Sequence, residues 1–168
     1  MSPISEALHG SISSLFCDRF LRNSSYMTRR PGGSNDWLLI FTESGAGKYK
    51  TRQGSFVARC GVAVLYAPGD FQDYETESEE GHWDLTWVHF LPQPHWQSYL
   101  RWPMHASGVR YVDFGQAEAC ANFQLALARM LEMSRRTIPF ALDLAANALE
   151  EALLWAHITS DPTTRHLS

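Results

Sequence analysis

Between Trp37 and Phe90 the chain alternates apolar runs with turn chemistry, and no link between runs is long enough to hold a helix. The runs are Trp37–Thr42, Lys48–Lys50, Ser55–Arg59, Val62–Ala67, Phe71–Glu75 and His82–Phe90, rich in β-branched and aromatic residues. Gly45-Ala46-Gly47, Arg52-Gln53-Gly54, Cys60-Gly61, Pro68-Gly69-Asp70 and Glu79-Glu80-Gly81 punctuate them. Parallel neighbours would need a crossover of about a dozen residues or more, so the strands must pair antiparallel. Short, evenly spaced antiparallel strands close into a barrel or a jelly roll.

After Phe90 the period changes. Pro92 and Pro94 introduce a short helical segment, His95–Trp102, which Pro103 stops. A long helix is expected over Gln116–Ser134, with Cys120, Phe123, Leu127, Met130 and Leu131 on one stripe. A second is expected over Pro139–Thr159, with Leu142, Ala145, Leu149, Leu153 and Ala156 on one side. Its other side carries Leu144, Asn147, Glu151, Leu154 and Ile158, so one face suits the domain and the other a partner. Asp161-Pro162-Thr163-Thr164-Arg165 reads as a polar linker.

Composition bounds the class. A chain of 168 residues with 45% hydrophobic and 12% aromatic content can build one core without disulfides or metals. Fourteen basic against eighteen acidic residues give a net charge of −4, which argues against this piece gripping a phosphate backbone itself. The longest apolar runs, such as Trp37–Phe41 and Gly61–Ala67, fall short of a bilayer span, so no membrane partner is expected. Met1 to Gly10 lacks a basic start followed by an apolar stretch, and a cytoplasmic location is the expectation. Cys17, Cys60 and Cys120, an odd and scattered set, are then reduced thiols, and the sequon at Asn23 has no consequence.

Two enzymatic readings fail on spacing. Gly45-Ala46-Gly47-Lys48 has part of a phosphate loop, but Thr42 replaces the leading glycine and Tyr49 the hydroxyl residue after the lysine. A strand also follows where a helix N-terminus is required, so the segment reads as a hairpin turn. A metal-dependent cupin enzyme, such as a sugar isomerase or a dioxygenase, would need three or four converging ligands. His9, His82, His89, His95, His105, His157 and His166 show no such pairing, and only His89 is expected to face the interior. No catalytic residue, metal or cofactor is expected.

The run His82–Phe90 carries the most information. Alternation puts Trp83, Leu85, Trp87 and His89 on one face and His82, Asp84, Thr86, Val88 and Phe90 on the other. Both tryptophans can be core, since a small barrel needs large side chains to fill it. Alternatively, Trp87 is a rigid stacking platform for a flat apolar ligand face, such as the C–H face of a pyranose. Arg30, before Pro31-Gly32-Gly33, and Tyr74, after the Pro68-Gly69 turn, are placed to reach a pocket mouth, although each alone reads equally as a surface side chain.

Two blocks carry a family resemblance. Trp37 to Thr42 with Gly45-Ala46-Gly47, Phe56-Val57 and the Pro68-Gly69 turn before Tyr74 form the first. Trp87-Val88-His89-Phe90-Leu91-Pro92, then Trp96 and Leu100-Arg101-Trp102-Pro103, form the second. Together they resemble the N-terminal effector-binding domain of the AraC family of bacterial transcription regulators, without gaps from about Arg30 to Pro103 and more loosely through Asn147 and Leu149-Glu150. The resemblance implies a mainly β chain with C-terminal helices, a cupin-like antiparallel jelly-roll barrel followed by a helical dimerisation hairpin. On that pattern residues 1–15 are an arm over the ligand, 16–103 the barrel with its short helix, 104–160 the dimerisation segment and 161–168 a linker. DNA is contacted in the family by a separate C-terminal domain with two helix-turn-helix units. Nothing follows Ser168, so an excised regulatory domain is expected.

Carried over residue by residue, the family's sugar-contacting arginine falls on Arg30, its tyrosine on Tyr74 and its stacking tryptophan on Trp87. A guanidinium offers forked hydrogen bonds to vicinal hydroxyls and a phenol adds one more. A pocket histidine of the family falls on Leu85 and an arm-region threonine near Phe16, so two polar contacts are apolar here. An apolar site does not enforce a hydroxyl, so a less hydroxylated, larger or aromatic-bearing effector stands beside a carbohydrate. For the homodimer, Leu144, Asn147 and Leu154 match the family seam, with Glu151 on the same side, while Asp143 replaces a leucine.

Overall fold

The computed structural model describes residues 15–115 and 118–163. The chain runs through β1 (Leu15–Asn23), β2 (Met27–Arg30), β3 (Trp37–Thr51), β4 (Gly54–Arg59), β5 (Val62–Tyr66), β6 (Gln72–Thr76) and β7 (His82–Phe90). A 3-10 helix (Pro94–Leu100), β8 (Arg110–Asp113), α1 (Glu118–Ser134) and α2 (Ala141–Ser160) follow. Every strand pairing is antiparallel. The result is a jelly roll followed by two helices, as expected.

The long strand β3 joins the two layers. Its first half pairs with β5 and β7, and its second half with β4 and β6. A register shift between Thr42 and Ser44 bends it from one layer into the other. One layer therefore reads β1-β7-β3-β5-β8, while β2, β6 and β4 build the second around the far half of β3.

This corrects the hairpin expected at Gly45-Ala46-Gly47, which lies inside β3. The glycines are there for close approach. Gly45 has φ +70°, and a β-carbon on it would stand 2.2 Å from the His82 carbonyl oxygen across the pair.

Sheet residues alternate between two cores. Leu38, Ile40, Val64, Tyr66, Tyr74, Trp83 and Leu85 pack between the layers. Leu39, Phe41, Leu65, Val88 and Phe90 turn the other way onto the helices, meeting Phe123, Leu127, Met130, Leu149 and Leu153. The first half of β3 is therefore covered on both faces, which is why Trp37–Phe41 reads as an unbroken apolar run.

All five residues of the expected α1 stripe, Cys120, Phe123, Leu127, Met130 and Leu131, are buried. The expected start at Gln116 lies outside the described residues. On α2, Ala145, Leu149, Leu153 and Ala156 are buried as expected, but Leu142 is 43% exposed. It sits in the first turn, where α2 has not yet come fully under its neighbours. The helix begins at Ala141, later than expected, because Phe140 before it adopts the left-handed conformation at φ +63°. Three further differences concern boundaries. The segment expected as a helix over His95–Trp102 is a 3-10 helix ending at Leu100. The stretch 104–160 opens on a strand, β8, which extends the first layer beside β5. Residues 1–14 of the expected arm and 164–168 of the expected linker lie outside the described residues. Among those described, no helix is long and apolar enough to cross a membrane.

Candidate functional site

A cavity of about 190 Å³ opens between the layers at the β1–β7 end. Five strands deliver its wall by alternation. On β7, Leu85, Trp87 and His89 point inward, on the face expected from the sequence. The antiparallel register of β1 sets Phe16 opposite His89 and Phe20 opposite Leu85, so both rings join that wall. Leu38 and Ile40 enter from β3. The β2–β6 pair sets Arg30 opposite Gln72 and Thr28 opposite Tyr74, which brings the Arg30 and Tyr74 side chains together across 44 residues of sequence.

The two tryptophans of β7 have different fates. Trp83 is fully buried and its indole N–H donates to Thr42 Oγ1 at 3.1 Å. Trp87 is half-buried and forms part of the cavity wall. Its ring is braced by Phe16, tilted against it with centroids 5.1 Å apart, and by Phe20, edge-on at 5.3 Å. Its indole N–H is buried without a hydrogen-bond partner among the described residues. So one tryptophan fills the interlayer space and the other borders an opening.

At the polar end, Arg30 Nη1 donates to Gln72 Oε1 at 3.0 Å and to the Tyr74 hydroxyl oxygen at 3.2 Å. Gln72 is fully buried, and its Nε2 donates to Ser34 Oγ at 3.2 Å, which orients its carbonyl toward the guanidinium. Burial is the largest influence on the Tyr74 phenol and pushes it above its ordinary range, with Arg30 pulling partly back. The phenol is therefore a neutral hydroxyl, hydrogen-bonded with Thr28 as well as with Arg30. His89 Nδ1 lies 2.8 Å from Asp36 Oδ1. The carboxylate accepts, so the hydrogen sits on Nδ1 and Nε2 is left for other partners.

The structure thus brings Arg30, Tyr74, Trp87, Leu85 and Phe16 to one cavity. Leu85 is buried in its wall, and Phe16 stands at its rim with two-thirds of its surface exposed. Sequence reasoning missed Gln72, Ser34 and Asp36, which position the polar groups, and Phe20 and Tyr26 in the wall. β1 and β2 alternate weakly, and the partners depend on long-range register. Away from the cavity, Asp143, Asn147, Glu151 and Leu154 form an exposed ridge on α2, with Leu144 half-buried beside it. A second cavity of about 220 Å³ lies near the β3–β4 turn, where Arg110 and Asp70 are paired with each other and Arg52 also joins the lining. Among the described residues no three His, Cys, Asp or Glu side chains gather to hold a metal ion.

Comparison with known proteins bears on this geometry. A family described as the AraC-like ligand binding domain matches residues 20–158. The arabinose operon regulatory protein of Escherichia coli strain K12 is 28% identical over 125 residues, covering 74% of this chain and 42% of that protein. The Salmonella typhimurium counterpart is 27% identical over 125 residues, covering 74% and 44%. The chain spans less than half the length of either relative. Among solved structures, ToxT of Vibrio cholerae in an unsaturated-fatty-acid-bound form is similar with a TM-score of 0.53 at 10% identity, covering 90% of this chain and 61% of that one. ToxT bound to (E)-4-(8-methylnaphthalen-1-yl)but-3-enoic acid gives a TM-score of 0.52 at 10% identity, covering 80% and 53%. At that identity the likeness shows the fold.

Proposed function

The chain belongs to the AraC-like ligand-binding domain family, and on that premise we propose that it is the effector-sensing and dimerisation part of a transcription regulator. The effector enters the cavity between the layers, lies against Trp87 and is hydrogen-bonded by Arg30 and Tyr74, with Leu85 and Phe16 as apolar walls. The observation that carries this reading is the convergence of Arg30, Tyr74 and Trp87 on one unfilled space of about 190 Å³. A cavity of roughly 150 Å³ lined by Leu, Ile and Phe holds benzene, so this one has room for a compact ring.

An indole accepts the C–H face of a sugar or an aromatic ring equally well. The carbohydrate expected from the family is therefore one member of the class. The apolar residues at 16 and 85 favour a ligand with few hydroxyls, because each buried hydroxyl needs a partner. That ToxT has been solved with an unsaturated fatty acid fits a fold that accepts more than sugars.

The residues before β1 act as the arm, β1 to β8 as the barrel, α1 and α2 as the dimerisation segment and residues 161–168 as the linker toward a DNA-binding domain. Asp143, Leu144, Asn147, Glu151 and Leu154 form the homodimer seam, since apolar and polar groups there stand outside the core. The role is regulatory and non-enzymatic, in the cytoplasm. Binding switches the regulator only if one arrangement of arm and dimer binds the effector better than the other. A thermal-shift screen of sugars and aromatic metabolites tests the proposal. At least one compound is expected to raise the melting temperature in a concentration-dependent way, and a screen in which none does contradicts it.

A further inference from the structure

Resting on the reading of this cavity as the effector site, we infer that the effector carries a carboxylate, gripped by the unused edge of the Arg30 guanidinium, on a compact apolar body. Arg30 spends Nη1 on Gln72 and Tyr74, both neutral acceptors. Nε and Nη2, which present the parallel N–H pair that fits a carboxylate, have no hydrogen-bond partner among the described residues. Among the described residues no carboxylate forms an ion pair with the Arg30 side chain. Its strand neighbour Arg29 is paired with Asp73, and Asp36 is engaged by His89 of the cavity wall.

Arg30 is half-buried and shares the cavity lining with Leu38, Ile40, Phe20 and Trp87, so its free edge is only partly hydrated. The same walls strengthen its attraction for an anion. The geometry is also set before any ligand arrives. Gln72 is fully buried and tied to Ser34, so Nη1 is held and the free edge keeps one orientation. Tyr74, kept neutral by its burial, is held in place by Arg30 and by its strand neighbour Thr28. The polar end of the cavity thus offers the paired donors of Arg30 and one acceptor, His89 Nε2, whereas a neutral polyol needs donors and acceptors spread over several hydroxyls.

Isothermal titration calorimetry with sodium benzoate, benzamide and L-arabinose tests this on the 168-residue chain. Benzoate and benzamide share the ring and differ in charge. Benzoate is expected to bind on the order of tenfold tighter than benzamide, with an affinity that weakens as sodium chloride is raised. Arg30→Gln is expected to bring benzoate down to the benzamide level. Should that variant fail to fold, the salt dependence of the unmodified chain still decides. Equal affinity for the two ring compounds, salt-independent benzoate binding, or binding of arabinose without benzoate overturns the carboxylate while leaving the cavity as a ligand site. If none of the three probes binds, the carboxylate inference falls, and the effector-site reading loses support with it.

Discussion

Gly47 in β3 lies directly beneath the indole of Trp83 in β7, so close that a β-carbon on it would stand 2.2 Å from Cζ2 and 2.4 Å from Cε2 of the ring. Trp83 is fully buried and anchored by its bond to Thr42 Oγ1, so it has no room to yield. Gly47 has no positive φ, and steric fit alone requires glycine there. Gly47→Ala is expected to destabilise by about 2 kcal/mol through overpacking. Urea unfolding followed by circular dichroism measures it, and a midpoint matching the unmodified chain contradicts this packing.

Three phenols, those of Tyr49, Tyr66 and Tyr74, share the interlayer core, and burial is the main cause that raises each above the ordinary 10.0. Only the neutral forms suit the fold. Below pH 10 both folded and unfolded chains hold these protons, and the stability is fully present. As pH rises past 10, the unfolded chain releases protons that the folded chain keeps, so stability falls. The urea midpoint is therefore expected to drop between pH 9 and pH 11 by more than exposed side chains alone explain. The Tyr66 hydroxyl is buried without a partner among the described residues, so Tyr66→Phe is expected to be neutral or stabilising by up to about 1 kcal/mol at pH 8 and to soften the alkaline loss. A loss of stability at pH 8 in that variant means the hydroxyl has a partner after all.

Asp143 stands exposed in the first turn of α2, at one end of the ridge formed by Asn147, Glu151 and Leu154. A carboxylate in the seam of a dimer must keep water or find a cation. Asp143→Leu is expected to tighten self-association on the order of tenfold in sedimentation experiments. An unchanged association constant removes this residue from the interface.

How much of this could be read from the sequence depended on how local the signal was. The alternation in His82–Phe90 assigned both faces of β7 correctly, because each face is buried by a different layer. β1 was missed because its exposed Phe16 and Leu21 blur the pattern, and β8 because four residues carry too little of one. Glycines at 45 and 47 signal either a turn or a close approach, and only the position of Trp83 across the pair decides between them. Alternation also could not tell Trp83 from Trp87. The difference lies in what stands opposite, a tight β3 backbone for one and an open space beside Tyr74 and Arg30 for the other. The meeting of Arg30 with Tyr74 rests on β2–β6 register, which no local spacing encodes, and was reached only through family resemblance.

Trp87 carries the central claim, since it is the half-buried aromatic wall of the cavity and not a plug in the core. Calorimetric titration of the strongest compound from a thermal-shift screen, run in parallel on the unmodified chain and on Trp87→Ala, tests it most directly. The expected result is saturable binding to the unmodified chain, loss of that binding by on the order of a hundredfold in the variant, as removal of a stacking hot spot gives, and a circular dichroism spectrum that shows the fold retained. Equal affinity for the two proteins, with the variant folded, would contradict it.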